Sequence, residues 1–106
     1  GMGEDGHTAS LFAGSPELSA ALGASADELC CAIRPPGQGV ARMTLTPAAL
    51  LKSRRVVLHL TGEKKWEVYQ RALESGSVED LPVRAILQQT RVPVDVYWAP
   101  HQSPGV

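Results

Sequence analysis

The chain has 106 residues, enough for one domain, of which 43% are hydrophobic, 20% charged and 5% aromatic, with a mean hydropathy of −0.08. Those are globular values and exclude a disordered or collagen-like chain. Ten basic residues against eleven acidic ones give a net charge of −1 and a pI near 6.3, so no basic excess exists to drive sequence-independent binding to nucleic acid.

Residues 1–8 (GMGEDGHT) form a glycine-rich loop. Ser15 and Pro16 then read as cap and first residue of a short helix, PELSAAL, that stops at Gly23. Leu29–Ile33 reads as a strand ended by the breaker Pro35-Pro36-Gly37-Gln38-Gly39. It contains both cysteines, Cys30 and Cys31. Adjacent residues of an extended segment point to opposite faces, so a disulfide between them would be strained. Two cysteines also make neither a disulfide framework nor a four-ligand zinc site. The expectation is a reduced, cytoplasmic protein. Met43–Thr46 alternates in the manner of a strand, and Thr46-Pro47 caps and opens the helix AALLKS.

Arg55–Leu60 (RVVLHL) is apolar almost throughout, which suits a parallel strand covered on both faces. Thr61-Gly62 follows at its carboxyl end. Next comes KKWEVYQRALES, whose Trp66, Tyr69, Ala72 and Leu73 recur at helical spacing. A helix over 82–89, a strand over 94–99 and a tail over 101–106 complete the chain. No apolar stretch runs more than about ten residues without a charge, short of the roughly twenty a membrane helix needs, and no secretory signal is visible. Strands alternating with helices predict an α/β fold, a layered α/β/α sandwich with a mainly parallel, Rossmann-like sheet. The glycine loop has no strand before it, whereas such loops normally follow a strand's carboxyl end. The expectation is therefore an incomplete domain, with residues 1–100 as its C-terminal part.

Gly1-Met2-Gly3-Glu4-Asp5-Gly6 literally matches G-x-G-x-x-G, but a dinucleotide site needs a strand before it and an acid after the second strand. Here Asp27-Glu28 stand before the strand. The longer string, Gly1 through Gly6 continued by His7-Thr8-Ala9-Ser10-Leu11-Phe12, resembles the signature of the 6-phosphogluconolactonases, a family that shares a superfamily with glucosamine-6-phosphate deaminase. Pro35-Pro36 followed by Ala41-Arg42-Met43-Thr44-Leu45-Thr46 is similar to the family's approach to an R-x-T-L-T strand. Leu60-Thr61-Gly62-Glu63-Lys64-Lys65 is similar to its T-G-x-x-K turn, and Pro93–Trp98 to its final strand. The resemblance spans nearly the whole chain but only the C-terminal half of a family member. Ala13 replaces the usual proline after Leu-Phe, which bears on the turn's stiffness.

The resemblance implies hydrolysis of 6-phospho-D-glucono-1,5-lactone in the oxidative pentose phosphate pathway, with no cofactor and no metal. The partner it implies is a small phosphosugar lactone, with no nucleic acid or membrane, and a missing N-terminal half or self-association. His7 is the candidate general base, since histidine's ordinary pKa of about 6.5 suits it to moving protons near neutrality. Asp5 is its support. Gly3 and Gly6 would bring backbone N–H groups close to the substrate. Arg42 and Lys65 would hold the phosphate, the first through its two-pronged guanidinium and the second at a helix N-terminus. Lys64 is the neighbouring alternative, but the family spacing selects Lys65. The rival deaminase branch follows its D-G-H with I-A-F-N-E-P, and Thr8–Ala13 holds no such glutamate. A non-catalytic phosphosugar-binding module is the rival from another class. His59, His101, Trp66 and Trp98 read as structural or idle, and Lys52, Arg54 and Arg55 as a solvated helix end.

Overall fold

A computed structural model describes residues 1–37 and 39–101; the end of the tail and Gln38 of the breaker lie outside the described residues. In chain order the elements are α1 (Leu18–Leu22), β1 (Cys30–Ile33), β2 (Arg42–Leu45), α2 (Pro47–Leu50), β3 (Val56–Thr61), α3 (Glu63–Ala72), α4 (Arg84–Leu87) and β4 (Val94–Ala99). The α/β class is present, with strand pairing of both kinds. β3 and β4 pair in parallel from Val56 opposite Val94 to Thr61 opposite Ala99. A parallel pair needs a crossover, which α3 and α4 supply.

β1 and β2 pair antiparallel, Cys30 opposite Leu45 through Ile33 opposite Arg42. The two-residue period of a strand then sorts their side chains. Cys31, Ile33, Arg42 and Thr44 share one face, where Ile33 and Thr44 are buried. Cys30, Ala32, Met43 and Leu45 share the other, where all four are exposed.

The main core joins Leu58 and Leu60 of β3 to Val68 and Ala72 of α3, with Met2 and Val83 packed between them. A second cluster, Leu11, Leu18 and Ala21, lies under Cys31. Thr46 caps α2 as its sequence predicts: its hydroxyl oxygen accepts the Ala49 N–H at 3.1 Å, and Pro47 takes the first position. Three helices and one side chain depart from expectation. α2 ends at Leu50, where AALLKS would run to Ser53. α1 begins at Leu18 with Glu17 in the cap position and no side-chain cap, and the Ser15 hydroxyl donates instead to the Arg34 carbonyl. α4 covers only Arg84–Leu87 of the helix expected over 82–89, the preceding turn being tied elsewhere. Arg55 is no part of a free basic cluster: it pairs with Asp95 at 2.6 Å and joins the start of β3 to β4.

Candidate active site

The opening loop is a tight, internally bonded unit. Met2 and Thr8 bridge antiparallel, the Gly3 N–H donates to the His7 carbonyl at 2.9 Å, and the Gly6 N–H donates to the Gly3 carbonyl at 3.0 Å. This corrects the expected role of Gly3 and Gly6, since both N–H groups are spent inside the loop instead of facing a substrate oxygen. Gly6 has φ +84, in the left-handed region that favours glycine. Its carbonyl accepts the Val83 N–H at 2.9 Å, which fastens the loop to the turn before α4.

The loop's purpose is visible at His7. Its Nδ1 lies 2.5 Å from Asp5 Oδ1, and its backbone N–H donates to the same oxygen at 3.1 Å. A Cβ at Gly3 would fall on ring atoms Cε1 and Nδ1 of His7. The residue is glycine because the imidazole occupies the space of its side chain. Partial burial pushes the Asp5 pKa up, but the hydrogen bonds from the His7 ring and backbone, with the ring's charge, outweigh it. The carboxyl is held below its ordinary value of 3.8. An ionised Asp5 accepts a proton-bearing Nδ1, and in the neutral form of such a ring it is Nε2 that carries the lone pair. The imidazole is a third exposed, neither sealed among aliphatic groups nor free in solvent.

In the sequence Phe12 is only the last residue of the family string, yet its ring contacts two of the candidate residues. Its ring centre lies 4.7 Å from that of His7, tilted by 43°, and the Arg42 guanidinium carbon lies over the same ring at 5.3 Å. One aromatic ring therefore links His7 and Arg42. Thr44, two residues beyond Arg42 on the same strand face, accepts the Ser10 N–H at 3.0 Å.

Lys65 shares a cleft with Glu4 of the loop. The cleft is open, of about 380 Å³, and is lined also by Thr61, Gly62 and His101, at the carboxyl end of β3. Lys65 is half-buried there while Lys64 is exposed, which favours the residue that spacing selects. The turn that delivers it needs a glycine: Gly62 has φ +94, its N–H donates to the Ala99 carbonyl, and its carbonyl accepts the Trp98 indole N–H, each at 2.9 Å. Glu4 and His101 are cleft residues that sequence reasoning missed. Glu4 carries no distinguishing spacing, and His101 reads as tail. Trp66 and Trp98 stack at 4.9 Å beneath the cleft's rim. Among the described residues no group of three His, Cys, Asp or Glu could hold a metal ion, and no helix is long and apolar enough to cross a membrane.

A family model described as glucosamine-6-phosphate isomerases/6-phosphogluconolactonase matches residues 1–98. The chain belongs to this family. Among curated members, it is 39% identical over 100 residues to a 6-phosphogluconolactonase of Rhizobium meliloti, covering 94% of this chain and 43% of that protein. It is 42% identical over 102 residues to one of Caulobacter vibrioides, covering 93% and 42%. Among solved structures, a 6-phosphogluconolactonase from Shewanella baltica superposes with a TM-score of 0.85 at 48% identity, covering 92% of this chain and 41% of that one. The chain thus spans about two-fifths of the length of the family members it matches.

Proposed function

We propose that this chain carries the catalytic loop of a 6-phosphogluconolactonase, which hydrolyses 6-phospho-D-glucono-1,5-lactone to 6-phosphogluconate in the oxidative pentose phosphate pathway. The supporting observation is the His7–Asp5 pair built over Gly3, read beside the names of the relatives. Asp5 holds Nδ1, and Nε2 of His7 takes a proton from water as the water oxygen attacks the lactone carbonyl. A bond forms from that oxygen to carbon, giving a tetrahedral oxyanion. When the oxyanion collapses, the ring C–O bond breaks, and the imidazolium returns its proton to the departing ring oxygen as a hydroxyl. Arg42 and Lys65 supply cationic partners for the phosphate. No cofactor enters this scheme. A cytoplasmic setting belongs to the same reading, and the free, adjacent Cys30 and Cys31 support it.

The test offers the intact protein two substrates separately. Acid release from the lactone and no ammonia from glucosamine 6-phosphate is the expected outcome. His7→Asn should lower lactone turnover by about 10²- to 10⁴-fold, the usual contribution of a general base. Asp5→Asn should lower it less. Ammonia release would move the chain to the deaminase branch. Binding of 6-phosphogluconate without turnover would make it a binding module, and full activity in His7→Asn would remove the imidazole from the chemistry.

A further inference from the structure

The two motif segments that carry His7 and Arg42 lie far apart in sequence, and the structure joins them at two points. Ser10 gives its N–H to Thr44 Oγ1 at 3.0 Å, and Phe12 lies against both the imidazole and the guanidinium. Phe12 and Thr44 are both buried. The alternation of β2 places Arg42 and Thr44 on the face toward the loop, so an R-x-T spacing presents one cation and one acceptor to a single segment. The acceptor meets Ser10 and the cation meets the ring of Phe12. The tight turn over Thr8–Leu11, closed by the Leu11 N–H to the Thr8 carbonyl at 3.0 Å, sets the distance between those two points.

We propose that Phe12 and Thr44 are positioning residues that set the placement of the proton-accepting imidazole relative to the phosphate-binding arginine. The proposal rests on the lactonase reading for its catalytic consequence, and on geometry alone for the coupling. A rigid lactone held at its phosphate by Arg42 brings its carbonyl to one place. The imidazole is useful only if that place is within reach of Nε2. The aromatic ring is the gauge between them: it packs at a tilt against the His7 imidazole and offers its π-surface to Arg42. An aliphatic side chain of similar bulk fills the space but supports neither. Thr44 acts one step further back, by holding the segment that carries the ring.

Two measurements separate this proposal from the function beneath it. In the lactonase assay on the intact protein, Phe12→Leu and Thr44→Val should each lower kcat about tenfold or more, as misplacement of reacting groups does. KM should change far less. Phe12→Tyr and Thr44→Ser, which keep the ring and the acceptor, should restore most of the loss. A rise in KM with kcat intact, or Leu and Tyr variants of equal activity, would overturn the proposal. The second measurement needs no turnover. Inorganic phosphate is titrated against the protein while the Arg42 Nε–H and His7 Cε1–H resonances are followed by NMR. In the wild type and in Phe12→Tyr both resonances should move together, and in Phe12→Leu the Arg42 signal should move alone. An undiminished His7 response in Phe12→Leu would show that the ring does not couple the two. Absence of lactonase activity with the NMR pattern intact would sink the functional reading and leave the coupling standing.

Discussion

Gly3 is not glycine for its backbone, which avoids the left-handed region. It is glycine for the ring that lies on it. Gly3→Ala therefore imposes no backbone strain and should leave the melting temperature close to that of the parent. It should nevertheless push the imidazole off Asp5 and lower lactone turnover nearly as far as His7→Asn does. Thermal unfolding and the lactone assay on one preparation check both halves, and a normal rate in Gly3→Ala would contradict the packing of ring on backbone. At this scale the sequence was half legible. The string through Phe12 singled out His7 and Asp5 through its family resemblance, and the two side chains do lie within bonding distance of each other. It could not show that the Gly3 and Gly6 N–H groups are consumed within the loop, since spacing does not reveal which donors a turn uses itself. The cysteines allow a prediction with a definite sign. Burial, followed by the nearby charges of Cys30, Glu28 and Glu17, pushes the Cys31 thiol above its ordinary 9.0. Its reactive thiolate is correspondingly scarce near neutrality and grows only as pH rises. Cys30 is exposed, so iodoacetamide at about pH 7.5 should label Cys30 first and Cys31 only at higher pH. Peptide mass spectrometry reads the order, and equal labelling at neutral pH would refute it.

Among the elements, those whose signals are local matched and those whose ends depend on distant partners did not. The Thr46-Pro47 start of α2, the parallel pair β3/β4 and the amphipathic α3 stand where periodicity and capping put them. α1 and α4 are shorter than their sequence signals, and residues at their starts bond to partners remote in sequence: the Ser15 hydroxyl donates to Arg34 and the Val83 N–H to Gly6. Arg84 shows the same effect with energetic weight. It is 6% exposed and has no carboxylate partner among the described residues, and its guanidinium donates to the Arg71 and Ser77 carbonyls, both at 2.9 Å. It thus closes the C-terminal end of α3, where a cation is favourable, and Gly76 is left bare because a Cβ there would strike the guanidinium. Arg84→Met removes both bonds and strands the carbonyls, at a cost of about 2–3 kcal/mol. For a chain of this size that is a fall in melting temperature of roughly 10 °C or more. Arg84→Lys should recover little, because an ammonium cannot span both carbonyls as the planar fork does. Circular dichroism melts of the two variants decide it, and a Lys variant as stable as the parent would show that charge alone matters.

At the scale of the whole molecule, apolar surface is left open on both sheets. Met43 (65% exposed) and Leu45 (52%) lie beside Cys30 and Ala32 on the outer face of β1/β2. Val57 and Tyr97 stand out from β3/β4 with His59 between them. An apolar cleft of about 230 Å³ runs beside Val56, Val57 and Leu58, with Leu50 and Ile86 in its wall. β3 has a strand partner on one side only. The sequence pointed to an incomplete domain but not to these faces, since RVVLHL reads as a strand covered on both sides while Val57 is exposed. Family members of which this chain spans about two-fifths have further polypeptide available to cover such surface. The 106 residues on their own do not, and open apolar faces beside an unpaired strand edge draw copies of a chain together. The isolated chain should therefore scatter light as a dimer or larger at tens of micromolar. Met43→Lys, which puts a charge at the middle of the outer face of β1/β2 and touches nothing in the core, should shift it toward monomer without lowering its melting temperature. A parent that stays monomeric across that range would mean that these faces are tolerated by water as they stand. An associated Met43→Lys would instead move the contact to the β3 edge, where a second substitution, Val57→Lys, should then dissolve it.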